Sequence, residues 1–215
     1  DVYKRQTLQG KLVAGGRGGY CFEQNSLFAA ALGALGYEVA TLEARVRPPG
    51  AKATLARTHM VLHLTVDGQE WIADVGFGAD GPLVPVPLNG AASEQSDDVY
   101  RIEREQDSTC VLRRSWRGTW RDLYAFTLNP ALPIDFEMAN YFTSTHPESS
   151  FVRTLTVQRS GREQRQILRG RIYTVRRGTR ETVREISPQE LPALLEQEFG
   201  LLISTEDATR ALGDG

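Results

Sequence analysis

The turn Val66-Asp67-Gly68-Gln69 constrains the fold more than any other stretch of this chain, because Asp-Gly between two apolar runs is the strongest short signal for a two-residue β-turn. His59-Met60-Val61-Leu62-His63-Leu64 precedes it and Trp71-Ile72-Ala73-Asp74-Val75 follows, both rich in strand formers. A two-residue turn fixes the register: Val66 faces Gln69, Val61 faces Asp74 and His59 faces Gly76. His59 and Asp74 then share one face as diagonal neighbours, roughly 7–8 Å apart, a gap that two side chains of this size bridge. An aspartate bonded to one imidazole nitrogen fixes the tautomer and leaves the other nitrogen as a base. Asp74 sits in a mostly apolar strand, where an unpaired carboxylate is costly. His63 shares the face of His59, but nothing nearby completes a second site, and it is expected to be structural.

Arg17-Gly18-Gly19-Tyr20-Cys21-Phe22-Glu23-Gln24-Asn25 sets a lone cysteine between a Gly-Gly turn and a helix start. Phe28, Ala31, Leu32 and Leu35 recur at helical spacing and Gly36 follows as a cap, which predicts a helix over 22–35 with Cys21 in or just before its first turn. Unpaired backbone N–H groups at that end stabilise a thiolate. Cys21, His59 and Asp74 thus supply a nucleophile, a base and an orienting carboxylate. Taken singly, each has a plainer reading: a small buried thiol under a helix, a strand histidine at a sheet edge, a surface strand acid. The sequence does not by itself bring Cys21 to the hairpin.

Arg17 to Asn25, Thr58-His59 at a strand start and Asp74-Val75-Gly76-Phe77-Gly78 together resemble the arylamine N-acetyltransferase family in order and spacing. Asn140 to Phe151, with Pro147, Ser149 and Ser150, resembles the segment leading into that family's last domain. The resemblance implies an α+β fold in a cysteine-protease-like arrangement: the remainder of an N-terminal helical bundle (1–36) carrying the nucleophile, a central antiparallel β-barrel (37–130) carrying His59 and Asp74, a connecting helix (131–151) and a C-terminal α/β lid (152–215). It also implies acetyl-CoA as co-substrate, no metal, and double displacement: the acetyl group passes to Cys21 and then to an aromatic amine or hydrazine. Thr58, Gly76, Phe77 and Gly78 become candidates for CoA contact, the glycines letting backbone N–H groups approach the pyrophosphate. Tyr20, Phe22 and Phe77 become candidates for an aromatic substrate pocket. Strand-ending glycines more often mark turns, and aromatics beside a motif more often pack as core. Arg17, Glu23 and Asn25 are expected to brace the loop through hydrogen bonds and ion pairs. The family places a helical bundle before the cysteine loop, where this chain has only twenty residues, so the N-terminus reads as truncated; Asp1 to Gln6 carries no periodic pattern.

With 215 residues, 40% of them hydrophobic, and a net charge of −2, the chain is long enough for more than one core and shows no bias toward nucleic acid. No run approaches the length of a membrane span, and no signal-peptide pattern opens the chain, whose first residue is Asp. Cys21 and Cys110 do not read as a disulfide framework, so a reducing, cytoplasmic setting is expected. No Cys and His spacing suits zinc. Nine arginines from Arg159 to Arg184, with Glu163, Glu181 and Glu185 among them, read as a solvated outer face rather than a phosphate patch. Tyr37 to Val46 reads as a strand, Pro48 to Ala53 as a loop, and the β-rich region runs to about Leu128. A helix is predicted over 134–145, then strands over 152–183 with turns at Ser160-Gly161 and Arg177-Gly178. The closing helix takes Ser187 as N-cap, Pro188 at its first position, Glu190 to complete a capping box and Gly200 beyond its end. The implied partners are acetyl-CoA and a small amine, for a monomer or homodimer. Two other readings stay open: another thiol enzyme, such as an amide synthase or a transglutaminase-like or papain-like hydrolase, and a catalytically silent fragment that serves only to bind or fold.

Overall fold

A computed structural model describes residues 5–50, 55–105 and 107–212. The chain opens with α1 (Arg5–Leu8, running on in π-helical turns Gln9–Ala14) and α2 (Cys21–Ala34). Strands β1 (Val39–Val46), β2 (His59–Val66), β3 (Gln69–Ala73), β4 (Val86–Pro87), β5 (Ser93–Gln95), β6 (Asp98–Arg104), β7 (Cys110–Trp116) and β8 (Thr119–Phe126) follow. They form one antiparallel sheet in the order β4-β3-β2-β1-β8-β7-β6-β5, and β4 closes against β6 to make a nearly closed barrel. Helices α3 (Pro133–Thr145) and α4 (Ser150–Arg153) lead to a second antiparallel sheet, β9 (Thr156–Ser160), β10 (Arg165–Arg169), β11 (Ile172–Arg177) and β12 (Arg180–Glu185). The chain ends with α5 (Leu191–Leu194, running on in π-helical turns Leu195–Phe199) and α6 (Thr205–Leu212). This is the expected α+β architecture.

The hairpin forms in the predicted register. Val66 pairs with Gln69 and Leu62 with Ala73, and Asp67 and Gly68 both take positive φ, as the tight turn requires. Pairing stops at Leu62 and Ala73, so the ladder pairs of Val61 with Asp74 and His59 with Gly76 do not form; past that point the two chains part and leave room between them.

Three cores carry the structure. The barrel interior is filled by residues such as Leu42, Val61, Ile72, Tyr100, Leu112 and Tyr124. On the outer face of β2 and β3, Met60, Leu62, Leu64 and Ala73 pack against Cys21 and Phe22 of α2 and Phe136 of α3. A third cluster seats α5 and α6 on the second sheet through Leu168, Tyr173, Leu191 and Ala208. The alternation of β2 explains the division: Val61 points into the barrel while Met60, Leu62 and Leu64 point to the helices.

Several expectations shift in detail. Cys21 is the first residue of α2, and only Phe28, Ala29 and Leu32 of its outer half pack on the core; Ala31 and Leu35 stay exposed. Ser187 and Glu190 make the reciprocal capping bonds, but residues 188–190 turn first and regular helix begins at Leu191. Ser150 to Arg153 form a short helix, so the strand expected from 152 starts at Thr156. Parts of two readings, the loop to Ala53 and the opening Asp1 to Gln6, fall at residues 51–54 and 1–4, outside the described residues; Arg5 and Gln6 belong to α1. The arginine run is exposed at Arg159, Arg162, Arg177, Arg180 and Arg184, but Arg165 is buried and Arg176 half-buried, so it is not one solvated face.

Candidate active site

Cys21 begins α2, at the end where the first-turn N–H groups have no partner within the helix and the helix dipole favours negative charge. Glu23, buried in the first turn, accepts from the Tyr20 N–H at 3.2 Å and pairs with Lys11 Nζ at 2.6 Å, tying the cysteine loop to α1. Arg17 is exposed and makes no ion pair among the described residues, so the bracing expected of it falls to Glu23 and Lys11.

Asn25, one turn after Cys21 and fully buried, joins three segments. Its Nδ2 donates to the Met60 carbonyl at 2.7 Å and to Asp74 Oδ1 at 2.9 Å, and its Oδ1 accepts from the Val75 N–H at 3.0 Å. The Gly76 N–H also donates to Asp74 Oδ1, at 2.8 Å. The other carboxylate oxygen, Oδ2, lies 2.7 Å from His59 Nε2. His59 Nδ1 is thereby turned to the side of Cys21, whose Sγ donates to the Thr58 carbonyl at 3.6 Å. The structure brings Cys21, His59 and Asp74 together: the hairpin sets the His59–Asp74 pair, and the packing of α2 brings Cys21 to it.

Electrostatics bind this group. Burial opposes a charge on His59, but the Asp74 carboxylate, with help from Cys21, outweighs it and raises the ring to about 10. Burial likewise opposes the charge on Asp74, and the imidazolium, Asn25 and the Gly76 N–H together hold it below the usual carboxylate range. The pair therefore exists as imidazolium and carboxylate at neutral pH.

Two aromatic rings that also touch each other pack on His59: Phe77 lies 5.2 Å away edge-on and Tyr124 4.9 Å away. Nothing local in the sequence marks Tyr124. A β-bulge at Leu112 and Arg113 shifts β8 against β7, so that Leu123 and Tyr124 are both buried. The Tyr124 phenol is pushed well above its ordinary pKa by burial and by the adjacent Asp74.

A cleft of about 530 Å³ opens from Cys21 and His59 between the barrel and the second sheet. Thr58, Gly76 and Phe77 line it; Gly78 does not. A Cβ on Gly76 would stand 2.5 Å from Cys21 Cα, and one on Gly78, at φ +94°, would meet the Gln158 side chain at 2.6 Å. The Gly76 N–H is held by Asp74 and the Ala79 N–H by Gln158 Oε1 at 2.8 Å. Close packing calls for glycine at both positions. The expected aromatic pocket also changes. Phe22 is buried in the core against Phe136, and Tyr20 packs on Phe151, which with Phe77 lines the cleft in their place. His63 pairs with Glu70 at 3.0 Å, apart from the site.

The loop after Phe77 is gripped from the second sheet, another feature with no local signal in the sequence. Arg165 donates to the carbonyls of Ala79 and Gly81 at 2.6 and 2.7 Å and pairs with buried Asp98 at 2.9 Å. Among the described residues no helix is long and apolar enough to cross a membrane.

A helical segment presenting a buried thiol to an Asp-held histidine on an antiparallel barrel defines the class: a cysteine-protease-like α+β thiol enzyme. A family model described as N-acetyltransferase matches residues 3–208. The chain is 37% identical over 203 residues to the arylamine N-acetyltransferase of Mycolicibacterium smegmatis, covering 91% of this chain and 73% of that protein. The structure of arylamine N-acetyltransferase from Salmonella typhimurium superposes with a TM-score of 0.90 at 28% identity, over 98% of this chain and 80% of that one. That of Mycobacterium marinum arylamine N-acetyltransferase in complex with CoA gives 0.87 at 31% identity, over 100% and 78%. The chain belongs to the arylamine N-acetyltransferase family.

Proposed function

We propose that this protein transfers an acetyl group from acetyl-CoA to an aromatic amine or hydrazine, with Cys21 as nucleophile, His59 as the proton-handling group and Asp74 as its anchor. The observation that carries the reading is the short His59–Asp74 bond beside a thiol at a helix start, at the inner end of an open cleft.

In the first half-reaction the Cys21 thiolate adds to the thioester carbonyl. The tetrahedral intermediate collapses with loss of the CoA thiolate, and His59 gives it a proton so that CoA leaves as the thiol. In the second, the amine adds to acetyl-Cys21 and loses its proton to His59. The Cys21 thiolate is expelled with formation of the amide, which restores the thiolate–imidazolium pair. Asp74 keeps the ring oriented in both halves. An aryl nitrogen is unprotonated at neutral pH and so competes for the acyl group; the apolar wall of Phe77, Phe151 and Leu55 favours a flat ring there over water. The free thiols of Cys21 and Cys110 fit a reducing compartment, which supports a cytoplasmic location.

Intact-protein mass after mixing with acetyl-CoA alone tests this. A single acetyl adduct that disappears on addition of a hydrazine or arylamine, and is absent in Cys21→Ser, is the expected result. No adduct on the folded parent, or an adduct retained by Cys21→Ser, counts against it.

A further inference from the structure

The glycine loop holds no N–H free for a phosphate at Gly76 or Ala79, yet the cleft carries a marked excess of positive charge in a chain whose net charge is −2. Five arginines line it, Arg47, Arg114, Arg121, Arg169 and Arg176, against two aspartates, Asp80 and Asp122. Three of the five are already engaged. Arg114 and Arg176 both hold Asp80, at 2.7 and 2.5 Å, and Arg47 pairs with Asp122 at 3.1 Å and with Glu105 at 2.8 Å. Arg114 also pairs with Asp98, and Arg176 with Glu181. Asp122 is further held by Arg113 at 2.8 Å. Both acids of the cleft are thus neutralised by neighbours.

Arg121 and Arg169 are left without an acidic partner among the described residues. They stand on opposite walls. Arg121 comes from β8 of the barrel, and Arg169 ends β10 of the second sheet, paired across the ladder with Thr156, which also lines the cleft. Arg121 lies directly opposite Arg114 in the β7–β8 ladder, but Asp80 and Asp98 already take up the charge of Arg114, so neither acid is left for Arg121.

We propose that Arg121 and Arg169 form a two-walled clamp for the phosphates of the acyl donor, while its thioester end reaches Cys21. The clamp rests on the acyl-CoA reading above and adds to it the residues that recognise the donor. Guanidinium groups bind phosphate through charge-assisted, often bidentate, hydrogen bonds. Gly76 and Phe77 then shape the inner end of the cleft, and the anionic end of the donor is held across its mouth. An anionic acceptor, such as an aminobenzoate, offers similar chemistry and is the rival occupant.

Protection of Cys21 from iodoacetamide, read by intact mass, separates these cases without turnover. CoA and pantetheine, which lacks the phosphates, both taken as S-methyl thioethers so that neither consumes iodoacetamide, are titrated as protectants of the parent, Arg121→Ala, Arg169→Ala and Arg121→Lys. Without protectant, alkylation of each variant should match the parent, because neither arginine bonds to the thiol site. The clamp requires CoA to protect the parent at far lower concentration than pantetheine. Each alanine variant should then need about tenfold more CoA, with pantetheine unchanged and partial recovery in Arg121→Lys. CoA protecting the parent no better than pantetheine, or half-protecting concentrations of CoA unmoved by either alanine, overturns the clamp. An effect confined to protection by 4-aminobenzoate assigns the arginines to the acceptor and also overturns it. The acetyl-adduct experiment with the parent stands apart from all of these, so loss of the clamp and loss of the acyl-CoA reading are told apart.

Discussion

Asp74 has both carboxylate oxygens engaged: Oδ1 accepts from Asn25 and Gly76, and Oδ2 is taken up by His59. A buried carboxylate with this many partners stays ionised, and its charge keeps the His59 ring protonated. The consequence for stability has a definite sign. His59 titrates at about 10 when folded and near 6.5 when free, so its contribution is complete below pH 6.5 and is lost as the pH rises through 10. Asp74, lowered in the fold, contributes above the ordinary carboxylate range and loses that contribution as the pH falls through its folded value. Urea unfolding of the parent and of His59→Gln should therefore show a stability gap that narrows between pH 7 and 9, with a limiting slope of about 1.4 kcal/mol per pH unit. A gap constant over that interval would mean that the folded ring is neutral.

At the scale of elements, the contact that assembles the site is the seating of the 74–76 segment on the first turn of α2. Gly76 permits it, since any side chain there would drive into Cys21 Cα at 2.5 Å. Gly76→Ala should lift the segment off the helix, at a cost of about 1–3 kcal/mol as in other overpacked sites. It should also strip Asp74 of one donor. The measurable outcome is a lower denaturation midpoint together with slower acetylation of Cys21; a variant that acetylates at the parent rate shows that the close approach is dispensable. The hairpin that delivers His59 and Asp74 was readable from the chain because its turn is local: Asp67 and Gly68 take positive φ and fix every pair as far as Leu62 and Ala73. The parting of the strands beyond was not readable, because it depends on Asn25 of α2 bonding to both Met60 and Val75. The capping signals of the last helix were likewise present in the sequence, while its start three residues late and its π-helical turns follow from how α5 seats on the second sheet.

For the whole molecule, the second sheet is what turns a pair of catalytic elements into a cleft. It supplies one wall and, through Arg165, holds the loop that carries Phe77 against His59. Arg165→Met should cost on the order of 3 kcal/mol, because it removes a buried ion pair and leaves two carbonyls without their donor. Hydrogen exchange should quicken at the amides of 77–81 more than in the barrel strands. Protection unchanged in that loop would show that Gln158 alone holds it.

The sequence by itself determined the chemistry of this protein and half of its geometry. A thiol at a helix start and a histidine and aspartate on one hairpin face are set by caps, turns and strand alternation, all of which act over a few residues. The tertiary structure alone decided which neighbours those groups meet. Phe22 of the motif went to the core and Phe151, far along the chain, to the cleft. Tyr124 reached His59 through a bulge, and Arg165 was drawn out of a run of surface arginines into a buried pair with Asp98. Burial and charge pairing depend on what packs from distant parts of the chain, and no local pattern encodes that.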